Sequence, residues 1–226
     1  MTQQIEDIGE VTESRTFHQL GILVLDGSNS MNETGDHNRS LAQNVNHSVR
    51  EFLTYFKGSS IVNNFSLAVV AFGVDAKIHT PITPLSKVDD FAEYDPTKVG
   101  IDGNGTNIGG ALQAAEKLAQ EFLSNPESSS VPHDVRIIVM SDGLCGTPEQ
   151  TKAISEALKQ NDKLMICSAL FTDRSKVADA EVKEAKTVLS DIANAANLYK
   201  TVYGESDLRQ FFISSMSAKR KFGNEK

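Results

Sequence analysis

The sequence predicts an α/β fold: a doubly wound, mostly parallel central sheet with one antiparallel edge strand and helices on both faces. Three observations carry this expectation. Apolar runs of strand length ("LGILVLD", "FSLAVVAFG", "DVRIIVMSDG", "KLMICSALF") alternate with longer segments whose apolar residues recur at helical spacing, the pattern of βαβ units. One segment, "AKIHTPITPL", alternates apolar with polar residues and carries two prolines, so it reads as an edge strand forming a hairpin with the second strand. No internal repeat or low-complexity linker interrupts the 226 residues, a length that suits one domain.

The elements follow in order. Residues 1–17 lack periodicity and read as an N-terminal arm or tail. "LGILVLD" is the first buried strand. The next segment, "NRSLAQNVNHSVREFLTYFK", places Leu41, Val45, Val49, Phe52, Leu53 and Phe56 on one helical face. After the hairpin, a loop rich in Gly and Asp opens into "NIGGALQAAEKLAQEFL", where Ile108, Ala111, Leu112, Ala115, Leu118 and Phe122 share a face. "DVRIIVMSDG" is a central strand. Its helix is expected to begin at Thr147-Pro148-Glu149-Gln150, a capping box with Pro in the first helical position. "KLMICSALF" is another strand, a long helix spans about 176–196, and "NLYKTV" is a short strand. The last helix starts near Ser206 with Leu208, Phe211, Phe212 and Met216. The domain is expected at 18–217, with a C-terminal tail at 218–226.

Composition excludes some functions. The apolar fraction of 39% and the charged fraction of 23% are those of a soluble globular protein. A net charge of −8 argues against a nucleic-acid surface, and the basic stretch "AKRKFGNEK" reads as a solvated tail end. Cys145 and Cys167 are too few for a disulfide framework or a zinc site, and Cys167 lies in an apolar run where a thiol acts as a small hydrophobe. "MTQQIEDIGEVTESR" is polar and acidic, unlike a secretory leader, and no stretch reaches membrane-span length. A cytoplasmic protein with neither nucleic-acid nor membrane partners is expected.

"DGSNS", residues 26–30, ends the first strand with a carboxylate and two hydroxyls, Asp26, Ser28 and Ser30. Alone, these residues suit a helix cap. In an open parallel sheet, however, ligands bind outside the carboxyl ends of the strands, where strand order reverses. "SDG", residues 141–143, ends another central strand at the same edge, and "GIDGNGTNIGG" lies between the two in sequence. Eighty residues separate Asp26 from Thr106, and 36 more lead to Asp142. The sheet would gather Asp26, Ser28, Ser30, Thr106 and Asp142 on one rim: two carboxylates and three hydroxyls, with no nitrogen or sulfur. Such hard donors suit Mg²⁺, with Mn²⁺ or Ca²⁺ as alternatives. Two carboxylates about 4 Å apart repel by about 4 kcal/mol at an effective dielectric near 20, and a divalent ion reverses the sign. Neutral hydroxyl ligands leave that ion a net positive charge for an anionic ligand from outside.

Other signals weigh less. Gly103, Gly105 and Gly109 are spaced one residue too long for a dinucleotide fingerprint, and no P-loop lysine follows. His18, His37, His47, His79 and His133 show no metal-binding spacing and read as surface or satisfied core residues. Glu33 and Asp36 read as a solvated loop that could line the rim, and Asp102 is a secondary candidate behind a metal shell.

D-x-S-x-S, a Thr in a Gly-flanked loop and a later D-G after an apolar strand together resemble the metal-ion-dependent adhesion site of von Willebrand factor A (vWA) domains, and the likeness extends over about residues 18–217. The resemblance implies a Rossmann-like fold in which Ser28 and Ser30 contact the metal directly, Asp26 often acts through water, and Thr106 and Asp142 supply the second and third loops. S-D-G stands where T-D-G is common, and Asn29 replaces a common Gly. The lack of a leader, the bare domain and the last helix ("LRQFFISSMSA") look most similar to the small intracellular bacterial group that includes the tellurite-resistance TerY-type proteins. The function implied is a non-catalytic module whose metal accepts a Glu or Asp carboxylate of a partner protein, with coordination coupled to movement of the last helix, about 205–217. The alternative is a Mg²⁺-dependent hydrolase or phosphotransferase using the same site. Against it stands the lack of a base or nucleophile beside the ligands themselves. The oligomeric state is left open.

Overall fold

The structure, a computed structural model, describes residues 15–174 and 177–218. Six strands form one sheet: β1 (His18–Asp26), β2 (Phe65–Phe72), β3 (Ala76–Pro84), β4 (His133–Ser141), β5 (Leu164–Phe171) and β6 (Tyr199–Val202). Their order is β3-β2-β1-β4-β5-β6, and every pairing is parallel except the β2–β3 hairpin. The helices are α1 (Leu41–Lys57), α2 (Ile108–Ser124), the single turn α3 (Pro126–Ser129), α4 (Pro148–Lys159), α5 (Ala180–Ile192) and α6 (Glu205–Met216). Fold class and element order are those expected. Of the anticipated arm and tail, residues 1–14 and 219–226 lie outside the described residues, and with them nearly all of the basic stretch. Among the described residues, no helix is long and apolar enough to cross a membrane.

The continuous apolar strands are explained by burial on both faces. Leu23 and Leu25 of β1 pack into one core with α1 and α6 side chains such as Val49, Phe52, Phe211 and Phe212. Leu20, Ile22 and Val24 point the other way, to Ile108, Leu112, Leu158 and Leu189 of α2, α4 and α5. Phe52 and Phe212 meet edge to face at 6.3 Å between ring centroids, tying α1 to α6. At the far end of α6, Gln19 Nε2 donates to the Met216 carbonyl (2.5 Å) and the buried Arg136 donates to that of Ala218 (3.1 Å).

Two local expectations are corrected. α1 starts with a complete capping box, Ser40 Oγ accepting from Gln43 N–H and Gln43 accepting from Ser40 N–H. At α4 the anticipated box does not form: Pro148 takes the first helical position, but the Thr147 side chain makes no cap bond and instead reaches Asn107 Oδ1 at 3.4 Å. α5 is shorter than 176–196. Its C-terminal boundary follows from Asn194, whose N–H donates to the Ile166 carbonyl while its side-chain oxygen accepts from Ile166 N–H. This paired contact draws the chain off the helix axis onto β5.

His18 is buried at the start of β1. Arg15 Nη1 donates to its Nδ1 (3.3 Å), so its Nε2–H donates to Ser66 Oγ (2.9 Å). Burial, then the charge of Arg15, lowers its pKa to about 4. The neutral ring is the stabilising form. Its contribution is complete above the unfolded value near 6.5 and is lost as pH falls toward 4. His18→Gln is therefore expected to narrow the difference between urea midpoints at pH 7.5 and 4.5. An unchanged difference would place the acid sensitivity elsewhere.

Candidate metal centre

Chain order reverses between β1 and β4. From β1 the chain proceeds to β2 on one side, and from β4 to β5 on the other. The crevice at their carboxyl ends is where this topology opens a ligand site. β1 ends at Asp26 and β4 at Ser141, and the register that pairs Leu25 with Met140 sets these two side by side.

Asp26 is completely buried. One carboxylate oxygen accepts from Ser28 N–H (2.8 Å) and the other from Ser141 Oγ (2.5 Å). Ser28 and Ser30 place their hydroxyl oxygens 3.0 Å apart, and Ser30 Oγ donates to Asp142 (2.9 Å). Ser30, Thr106 and Asp142 line a cavity of about 650 Å³, with Asp26 and Ser28 buried beneath. The structure thus brings all five sequence-derived residues to one place.

The second loop is braced mainly through backbone and neutral amides. Asn29 donates its N–H to the Gly103 carbonyl (2.8 Å) and its side-chain amide to Asn104 (3.0 Å). Asp102, the secondary candidate, accepts from both nitrogens of Asn104, so its exposed carboxylate holds the loop. Gly146 N–H donates to the Thr106 carbonyl (2.9 Å), joining the third loop to the second. Asn29 adopts no positive φ, so the residue standing for the common Gly is unstrained. Gly73 permits a close approach: a Cβ there would lie 2.2 Å from the Asp102 carbonyl oxygen.

The electrostatics record the cost of gathering two acids. Burial, followed by the charge of Asp26, pushes the Asp142 carboxyl up to about 7. Burial also raises Asp26, against the hydrogen bonds from Ser141 and Ser28. Glu33 lines the same cavity and adds its charge to Asp142, while the Asp36 side chain lies outside the described residues. Two acids held together out of water, among three hydroxyls and without nitrogen or sulfur, fit a hard divalent cation. Sequence reasoning missed Ser141. Its signal was present in S-D-G, where the residue before the acid keeps a hydroxyl.

An open parallel sheet with three oxygen-bearing loops at its switch point defines a ligand-binding α/β module. The profile of the von Willebrand factor type A domain matches residues 22–144, more than half of the chain, and the protein belongs to that family. No curated protein sequence matches it. Its fold is similar to the pilus adhesin SpaC from Lactobacillus rhamnosus GG, at TM-score 0.72 and 12% identity, covering 90% of this chain and 31% of that one. The vWF domain of the type V pili tip protein Mfa5 from Porphyromonas gingivalis gives 0.63 and 13%, covering 90% and 95%. Proximal thread matrix protein 1 from the mussel byssus, in a structure with a zinc-occupied MIDAS motif, gives 0.57 and 19%, covering 89% and 45%. At these identities the likeness is one of fold, and the chain spans less than a third of SpaC.

Two outcomes follow from this geometry. A carboxyl with a raised folded pKa stabilises in its neutral form, a contribution complete below the unfolded value near 4 and lost as pH rises through about 7. In EDTA the melting temperature should therefore fall between pH 5 and 7.5, and fall less in Asp142→Asn; parallel curves would mean that the acid pair is not the source. Gly73→Ala should destabilise by about 1–3 kcal/mol, because the clash is with backbone, and a urea midpoint equal to wild type would show that the loop can yield.

Proposed function

We propose that the chain is a non-catalytic, metal-dependent protein-binding module. The observation that carries this reading is the buried acid pair, Asp26 and Asp142, set among Ser28, Ser30 and Thr106 at the cavity floor. These five residues would hold a divalent cation, Mg²⁺ first by the hardness of the donors, with Mn²⁺ or Ca²⁺ as substitutes. A bound cation supplies a positive centre with a coordination position open to an anionic oxygen, for which a Glu or Asp carboxylate of a partner protein is the fitting group.

The protein's own residues prepare that exchange. Ser28 N–H and Ser141 Oγ fix Asp26, so its charge cannot turn away from the site. The serine and threonine oxygens are neutral, so they orient without cancelling positive charge. Glu33, Asp173, Asp179 and Glu181 stand around the cavity, with Leu144, Phe171 and Val182 between them. This wall favours a partner segment that carries positive charge beside its coordinating acid.

Thermal unfolding of EDTA-stripped protein tests the reading. Mg²⁺ at about 100 times its dissociation constant should add about 2.7 kcal/mol, and Ser28→Ala with Ser30→Ala should abolish the gain. No gain with Mg²⁺, Mn²⁺ or Ca²⁺ would overturn it.

A further inference from the structure

A second group of donors stands apart from the rim residues, where α1 meets the first turn of α6. His47 and Glu51 lie one helical turn apart on α1, and Glu205 opens α6. His47 Nδ1 is 2.6 Å from one Glu205 oxygen and 4.0 Å from a Glu51 oxygen. All three donor atoms lie within 4.8 Å of one another. We propose that His47, Glu51 and Glu205 form a second divalent-cation site, of the zinc class, bridging α1 and α6.

The chemistry differs from that of the rim. An imidazole with two carboxylates suits zinc and its neighbours, whereas the all-oxygen rim suits harder ions. Ligand atoms around a tetrahedral zinc stand about 3.3 Å apart, given bonds near 2.0 Å, and the observed 2.6 and 4.0 Å straddle that spacing. A sub-ångström shift of each carboxylate closes the site. Glu205 is already oriented: Arg39 Nη1 holds its second oxygen at 2.9 Å, leaving the first toward His47, and Ser48 Oγ donates to its carbonyl (3.0 Å). Such an outer partner on a ligating carboxylate is a recurring feature of metal sites. The His47 and Glu51 side chains are 43% and 36% exposed, so solvent reaches the edge of the site, while His47 Nδ1 itself is buried and has no well-formed hydrogen bond, which leaves its lone pair for an ion. Arg209 is the competitor. Its Nη1 sits 3.0 Å from the Glu51 oxygen that faces His47 and must move aside when the ion binds.

The test is a Zn²⁺ titration against a chromophoric chelator, in protein carrying Ser28→Ala and Ser30→Ala, which removes the two serine donors and weakens the rim as a competing site. One equivalent of Zn²⁺ is expected to remain bound. Adding His47→Gln should weaken it at least tenfold, and adding Arg209→Ala should tighten it. Should His47→Gln fail to fold by circular dichroism, Glu51→Gln carries the same comparison. Absence of a bound equivalent in the double-serine protein, or retention indifferent to His47 and Glu51, overturns the proposal. Neither result touches the rim reading, which is measured with Mg²⁺ in the parent protein.

Discussion

The buried carboxylate of Asp26 is the constraint on which the rest of the rim depends. A charge taken wholly out of water must be met by donors, and this one is met by the Ser28 N–H and the Ser141 hydroxyl. Those two bonds fix the end of β1 to the end of β4 and set the first turn of the loop that follows. They do not offset the loss of solvation: burial raises both acids, and the charge of Asp26 adds to the rise at Asp142. The cost of gathering the two acids is therefore set by the fold, through the ends of β1 and β4, rather than by a few surface side chains.

Around that acid pair, much of the joining is done by neutral groups. Asn29, Asn104 and Asn107 link the loops through hydrogen bonds of their side-chain amides, and Asn107 Oδ1 also caps α2 by accepting from Gly110 N–H. Neutral links hold geometry without adding or cancelling charge. Asp102 is the charged exception: one oxygen of its exposed carboxylate accepts from both nitrogens of Asn104.

Legibility in the sequence followed the range of the interaction. The strands were readable because burial on both faces leaves uninterrupted apolar runs, and α1, α2 and α6 because their apolar residues keep helical period. The five rim residues were readable because their types and spacing make sense only if an open parallel sheet gathers them. What escaped was set by contacts distant in sequence. Thr147 has the residue type of a cap, yet its hydroxyl turns to Asn107 on another loop. The end of α5 is decided by Asn194 meeting Ile166 on β5. Ser141 shows its hydroxyl in S-D-G, but its bond to Asp26 depends on the β1–β4 register, which no local pattern contains.

The two borders of the sheet differ from its interior. β3, on one side, contains Pro81 and Pro84, which lack an N–H, and its pairing with β2 is broken by register shifts; β6, on the other, is four residues long. Short, irregular or proline-bearing edges are poor templates for a foreign strand. A strand from another copy finds no long, regular edge here to extend, so the sheet itself is a poor surface for joining one copy of this domain to the next.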